Sequence, residues 1–77
     1  MNLETLRACG EVLYGPRWQQ PLARALKVDD RTVRRWVAGQ TSMPDDLPSR
    51  LLGVLAAKRS AIKEMQETIR WIRNERT

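Results

Sequence analysis

Apolar side chains recur along the chain at the spacing of α-helices. Two short apolar stripes, before and after Val28, predict two helices joined by a tight turn, with Val28 packed beneath it. An earlier stripe predicts a first helix. The residues predicted to be buried are Leu3, Leu6, Val12 and Leu13 on the first helix, Leu22, Ala23 and Leu26 on the second, and Val33, Trp36 and Val37 on the third.

Capping residues set the predicted ends of these helices. Asn2 can cap a first helix that runs to about Tyr14, and the glycine and proline that follow end it. Asp29 can accept from backbone N–H groups at the start of a helix over 30–38, which Gly39 ends. The polar segment from 39 to 48, with two prolines, is predicted to be a loop.

The last segment predicts a helix from about Leu47 to Asn74, roughly 42 Å long at the helical rise. Its apolar residues alternate at steps of four and three, as in a coiled-coil seam, with Lys58 as the one polar interruption, which could fix the register. The apolar members of this seam are Leu51, Leu55, Ile62, Met65, Ile69 and Ile72.

We expect this seam to form a homodimer. The alternative is that the same stripe folds back over its own domain as an extra core helix. Leu52, Val54 and Trp71 lie off the seam and are candidates to face the domain core. The expected division is therefore a region of three short helices over 1–46 and a dimerisation helix over 47–77.

The third predicted helix carries a basic face. With about 100° per residue, Arg31 and Arg35 lie opposite Val33, and Arg34 lies at the flank, four residues after Asp30. Like charges at i and i+4 disfavour an isolated helix, whereas a polyanion would relieve their repulsion. We expect the Asp30 carboxylate to hold the Arg34 guanidinium in one orientation. The alternative is that this carboxylate accepts a hydrogen bond from the amino group of a cytosine base. The alternative for this basic face is that it is an ordinary solvated helix surface that binds no ligand.

The segment from Gln19 to Ala38 resembles the helix-turn-helix of the lambda-repressor and Cro family. The residues at that family's core positions are Leu22, Ala23, Leu26, Val28, Val33 and Trp36. Lys27 departs from the family, which usually has glycine at the turn; a left-handed backbone there would cost about 1 to 2 kcal/mol.

The resemblance implies an all-α helix-turn-helix fold in which the third helix enters the DNA major groove. It makes Asp30, Arg31, Arg34 and Arg35 the candidate base-reading residues. Gln19, Gln20 and Thr32 would support base reading or contact phosphate, and Gln40 and Thr41 would touch the DNA backbone. Small repressors of this kind are common in phages and mobile elements, where they often control their own operon.

The function expected is therefore a sequence-specific transcriptional regulator, a homodimeric repressor on an inverted repeat with half-sites about 34 to 36 Å apart. The alternative is a protein-interaction factor, such as an antitoxin or inhibitor, whose long helix grips another protein with Met65 and Trp71.

Charge supports a polyanionic partner. The formal net charge is +5, and most of the excess lies between Arg17 and Gln40, where Arg17 is a further candidate for phosphate. The basic residues of that stretch are Arg17, Arg24, Lys27, Arg31, Arg34 and Arg35, against the two acids Asp29 and Asp30.

Other chemistry is not expected. One cysteine and no histidine exclude the usual zinc sites and an internal disulfide, and we expect no cofactor, small-molecule ligand or enzyme activity. Cys9 is interpreted as a small core residue, with a redox role as the alternative. A lone thiol, no secretory signal and no apolar run of membrane-spanning length together favour a cytoplasmic protein.

Overall fold

The computed structural model describes the backbone of residues 1–76 and the side chains of residues 1–75; Thr77, the end of the predicted 47–77 segment, lies outside the described residues. The described chain is all-α. Its helices are α1 (Leu3–Tyr14), α2 (Gln19–Leu26), α3 (Asp30–Val37) and α4 (Leu47–Arg76), and a 3-10 turn over Gly15–Arg17 connects α1 to α2. The prediction of four helices, the last one long, is confirmed.

Both predicted N-caps form. The Asn2 side chain accepts from the backbone N–H of Thr5 at 2.8 Å, so α1 begins at Leu3. The Asp29 carboxylate accepts from the N–H of Arg31 at 3.1 Å, so α3 begins at Asp30. Each cap satisfies an N–H group that the first turn of a helix leaves without a backbone acceptor.

The two short helices end in the same way, with a left-handed residue and two backbone hydrogen bonds. After α2, the N–H of Val28 donates to the Ala23 carbonyl at 3.0 Å and Lys27 adopts a φ of 59°. After α3, the N–H of Gln40 donates to the Arg35 carbonyl at 2.9 Å. There the left-handed residue is Gly39, which carries no Cβ penalty. Lys27 thus has the strained backbone that its position in the sequence suggested.

The core lies where α1, α2, α3 and the beginning of α4 meet. The five residues predicted at the centre of the two short helices are buried, and Val28 and Cys9 pack against them at the edge. Val12 was predicted to be buried but is 80% exposed, because α1 docks through Leu6 instead. The fully buried set is Leu6, Trp18, Leu22, Ala23, Leu26, Val33, Trp36, Leu47 and Leu51.

Trp18 fixes how α1 meets the connection to α2. Its indole lies directly on the backbone of Gly10, where an added methyl group would overlap the ring. Gly10 is therefore needed for close approach rather than for an unusual backbone conformation. This contact buries a tryptophan that the apolar pattern of the short helices did not include.

The beginning of α4 is part of the same domain. Leu47 and Leu51 are buried in its core, Val54 packs at the edge, and the Arg50 guanidinium donates to the Leu26 carbonyl at the end of α2. Leu51, assigned from the sequence to a dimer seam, is thus a core residue. Leu52 is 67% exposed, so the expectation that it faces the core is wrong.

The rest of α4 projects from the domain. All side chains from residue 56 to residue 75 are exposed, and the molecule measures 56 × 22 × 20 Å along its principal axes. The fold-back alternative therefore holds for the beginning of α4 and fails for its second half. Within the described residues, no helix combines the length and the hydropathy needed to cross a membrane.

Candidate nucleic-acid interface

Burial of one side of α3 determines which side chains the helix presents to solvent. Val33 and Trp36 pack against α2 and are almost completely buried, and Thr32 and Val37 are half-buried beside them. Arg31, Arg34 and Arg35 are exposed. The eight-residue helix thus separates an apolar inner face from a basic outer face, as the helical spacing predicted.

The predicted contact between Asp30 and Arg34 is present. An Arg34 guanidinium nitrogen donates to the Asp30 carboxylate at 3.3 Å, and the two side chains remain 58% and 39% exposed. An exposed i,i+4 pair contributes little stability, but it restricts the rotamers of the arginine. Arg34 is therefore oriented before it meets any ligand.

Arg31 and Arg35 differ from Arg34 in this respect. In the described part of the chain neither of them forms an ion pair or a side-chain hydrogen bond. They are four residues apart on one helix, so their positive charges repel each other across an exposed face. Such a pair is unfavourable for the isolated domain and favourable toward an anion.

Asp29 is held in its charged form. The backbone N–H of Arg31, which donates to the Asp29 carboxylate, lowers the pKa of this carboxyl below its usual range, and the nearby positive charges of Arg31 and Arg34 lower it further. The start of α3 therefore carries the negative charge of Asp29 at the positive end of its dipole, and Arg34 and Arg35 lie in the last turn.

The other candidate contact residues lie at two connections. Arg17, Gln19 and Gln20 surround the start of α2 and line one shallow depression together with Pro16. Arg17 and Gln20 are exposed, whereas Gln19 is half-buried. Gln40 and Thr41 are both exposed and directly follow the end of α3. The predicted contacts thus come from the third helix and from the segments at the start of α2 and the end of α3.

A second candidate surface lies on the projecting half of α4. The apolar stripe there consists of four side chains that are between 42% and 58% exposed, and Trp71, expected to face the core, is 64% exposed. The stripe residues are Ile62, Met65, Ile69 and Ile72. Their steps of three, four and three residues place them on one face of the helix.

The sequence did not predict the surroundings of two residues close to the start of this stripe, Lys58 on α4 and Val12 on α1. Lys58, interpreted as a polar interruption of a dimer seam, places its ammonium 5.2 Å from the centre of the Tyr14 ring, a cation–π distance within the domain. Val12 lines an open groove with Leu13, Leu55 and Ile62. No single-helix pattern could identify this groove, because it exists only where α1 docks against α4.

The described residues contain no group of three or more side chains that could hold a metal ion. The Cys9 thiol packs at the edge of the core, and its burial raises the pKa of the thiol, which disfavours the reactive thiolate.

No family model matches the chain, and neither a curated protein nor a solved structure matches it.

Proposed function

We propose that the protein is a sequence-specific DNA-binding transcriptional regulator with a lambda-repressor-like helix-turn-helix, in which α3 enters the major groove. The observation that carries the proposal is the basic outer face of α3, held by a buried inner face against α2 across a three-residue turn. Phosphate and base edges in the major groove are the anionic and hydrogen-bond-accepting groups that such a face fits.

The three arginines have different roles in this proposal. Arg34, oriented by Asp30, reads a base edge, since a guanidinium in a defined rotamer can donate two hydrogen bonds to guanine. Arg31 and Arg35 divide the remaining base and phosphate contacts. Arg17, Gln19, Gln20, Thr32, Gln40 and Thr41 anchor the DNA backbone or support the base contacts.

A binding-site selection followed by anisotropy titration tests this proposal. DNA selected from a random library should bind at least a thousandfold more tightly than scrambled DNA at the same salt concentration. Arg34→Ala should weaken binding to selected DNA by about 5- to 150-fold, the equivalent of about 1 to 3 kcal/mol. Its binding to scrambled DNA should change much less.

Arg70→Ala is the matched control, because it removes the same charge from the projecting part of α4. Its losses should be small and equal on both DNAs, whereas Arg17→Ala should weaken both equally and reduce the salt slope by about one unit. Equal losses on selected and scrambled DNA for all three α3 arginines would reject base reading by this helix.

The proposal includes a homodimer formed through the projecting half of α4. The four stripe side chains of each copy, now about half exposed, would leave water in a dimer, and burial of apolar surface is the dominant favourable term in protein association. Two copies would place two α3 helices on one inverted repeat, and occupying that DNA excludes other proteins and represses.

Sedimentation tests the dimer. Replacing Ile62 and Ile69 together by Asp should give a monomer, because each charge would be buried against apolar side chains. The control is Leu52→Asp, at an equally exposed position of α4 off the stripe, which should leave the dimer intact. A dimer that persists in the double variant would show that the stripe is not the interface.

The exposed stripe also favours a second candidate, a protein-interaction factor that binds a different protein through α4. A wild-type chain that is monomeric at about 100 μM and binds selected and scrambled DNA equally would favour this candidate. Affinity capture should then yield one partner that Ile62→Asp with Ile69→Asp no longer binds.

A further inference from the structure

The apolar face of α4 has two differently used halves. Along the first half, Leu51 is buried in the domain, Leu55 is half-buried and Lys58 lies over the Tyr14 ring. The domain therefore covers this face as far as Leu55, and the contact of Lys58 with Tyr14 marks the edge of the covered part. Only the second half, from Ile62 to Ile72, presents the face to solvent.

The charges of α4 divide at the same place. Residues 47–61 contain Arg50, Lys58 and Arg59 and no acidic residue. Residues 62–76 are close to balance, with the bases Lys63, Arg70, Arg73 and Arg76 and the acids Glu64, Glu67 and Glu75. Two copies of the free half therefore meet with less repulsion than two copies of the first half, each of which has three bases and no acid.

The spacing of the stripe fits another helix with the same spacing, since residues at steps of three and four fill the holes of a matching seam. Nearly balanced charge and matching spacing together indicate a second copy of this chain as the occupant. A strongly acidic or strongly basic partner would find little complementary net charge on this half of the helix.

Because the domain covers the first half of the α4 face, parallel and antiparallel pairs of α4 helices would differ in the contacts they can form. In a parallel pair equal residue numbers face each other, so the partner helix would run along Leu55 and Lys58, where the end of α1 already lies. It would also bring the unbalanced cations of both copies together. In an antiparallel pair the two free halves overlap completely, and the two domains stand at opposite ends.

We propose that two copies of the chain associate through antiparallel α4 helices, with Ile62 of each facing Ile72 of the partner subunit and Met65 facing Ile69 of the partner subunit. This rests on the homodimer of the proposed function and adds its direction. The two-fold axis crosses the pair at the level of Glu67, midway between Met65 and Ile69 along the helix.

Cysteine cross-linking of the full chain tests the direction. In a Cys9→Ala background, Ile62→Cys and Ile72→Cys are purified separately, mixed without DNA and oxidised. The mixture should give a mixed disulfide at least tenfold more abundant than either variant gives alone. In the antiparallel pair the two copies of residue 62 are about 15 Å apart along the axis, too far for a disulfide.

A surface position provides a second measurement that does not alter the seam. Gln66→Cys lies beside the proposed two-fold axis and should cross-link to itself with a short bis-maleimide, whereas in a parallel pair the two copies would lie on opposite flanks. Gln66→Cys that fails to cross-link, or Ile62→Cys that links efficiently to itself, would overturn the antiparallel arrangement.

A monomer in sedimentation would overturn it as well. Anisotropy titrations of the same variants, reduced, separate this result from the DNA-binding proposal. Specific binding by a monomer, or by a parallel dimer, would leave the role of α3 intact and reject only the arrangement of α4.

Discussion

The domain formed by α1, α2, α3 and the first turns of α4 differs from the projecting half of α4 in what holds each of them in place. In the domain, nine side chains are buried, and caps or left-handed residues satisfy the helix ends. The projecting half buries no side chain from residue 56 to residue 75. Most of the stability of a helix in a protein comes from packing of its apolar face, and this half has no such packing within the chain.

The same kind of apolar stripe therefore has two different outcomes. In the domain it packs against other helices of the chain, whereas from Ile62 onward it is exposed to solvent. The domain is thus stabilised by its own packing, and the projecting half is expected to gain most of its stability from a partner. Substitutions at matched positions in the two regions should have different consequences.

The largest difference is expected for removal of one apolar side chain from each region. Leu22→Ala should lower the free energy of unfolding by about 2 to 5 kcal/mol, because Leu22 is fully buried and the vacated volume cannot fill completely. Ile69→Ala, at a half-exposed position, should leave the unfolding of the dilute monomer almost unchanged and weaken the dimer. Urea denaturation at several protein concentrations distinguishes the two effects.

The dependence of stability on protein concentration is the control for these two substitutions. The midpoint of urea denaturation of the wild-type chain should rise with protein concentration, and Ile69→Ala should reduce that rise. An equal loss of stability for both substitutions in the dilute monomer would mean that the projecting half packs on the domain after all.

The second comparison applies one substitution, glycine to alanine, to both regions. Gly10→Ala should destabilise by about 1 to 3 kcal/mol, because the new methyl group overlaps the Trp18 indole and forces the two elements apart. Gly53→Ala, on the exposed side of α4 with no atom within 4 Å of the new methyl group, should stabilise by about 0.5 to 1 kcal/mol through helix propensity.

Thermal unfolding followed by circular dichroism measures both variants. Tryptophan fluorescence adds a local test. It is measured in a Trp71→Phe background, which removes the exposed tryptophan and leaves the buried Trp18 and Trp36. If Gly10→Ala were as stable as the wild-type chain, the close packing of Trp18 against α1 would be incorrect.

Local sequence patterns accounted for most of the domain. Asn2 and Asp29 marked two helix starts, and period-3.6 stripes found the centre of the core. The pair of Asp30 and Arg34 was also predictable, because its spacing alone brings the side chains together. Each of these features depends on residues within about one helical turn or on one helix face.

Contacts between distant segments were the ones missed. Trp18 lies outside any periodic helix, and its burial depends on Gly10 in α1. Lys58 interrupts a seam in sequence but contacts Tyr14 in space, and Val12 became exposed because of how α1 docks. Burial of Leu51 likewise depends on the angle at which α4 leaves the loop. None of these follows from the periodicity of a single helix.

A smaller effect is expected at the two left-handed helix ends, both within the domain. Lys27→Gly should stabilise by about 0.5 to 1 kcal/mol, because glycine removes the Cβ strain at a φ of 59°, partly offset by unfolded-state entropy. Gly39→Ala should have the opposite sign, since it introduces that strain at a φ of 74°. Urea denaturation of both variants provides the measurement. Destabilisation by Lys27→Gly would show that the lysine side chain makes a contact worth more than its strain.

The smallest expected effect is a pH dependence confined to the domain through the cap of α3. The N–H of Arg31 lowers the pKa of Asp29 in the folded state, so this group contributes stability above its unfolded pKa, near about pH 4, and loses it as the pH falls through the lower folded value. Asp29→Asn retains a capping oxygen but cannot titrate. Below about pH 4 the wild-type chain should therefore lose more stability than Asp29→Asn, in urea titrations at matched ionic strength. Identical pH profiles for the two proteins would mean that the charge on Asp29 does not stabilise the cap.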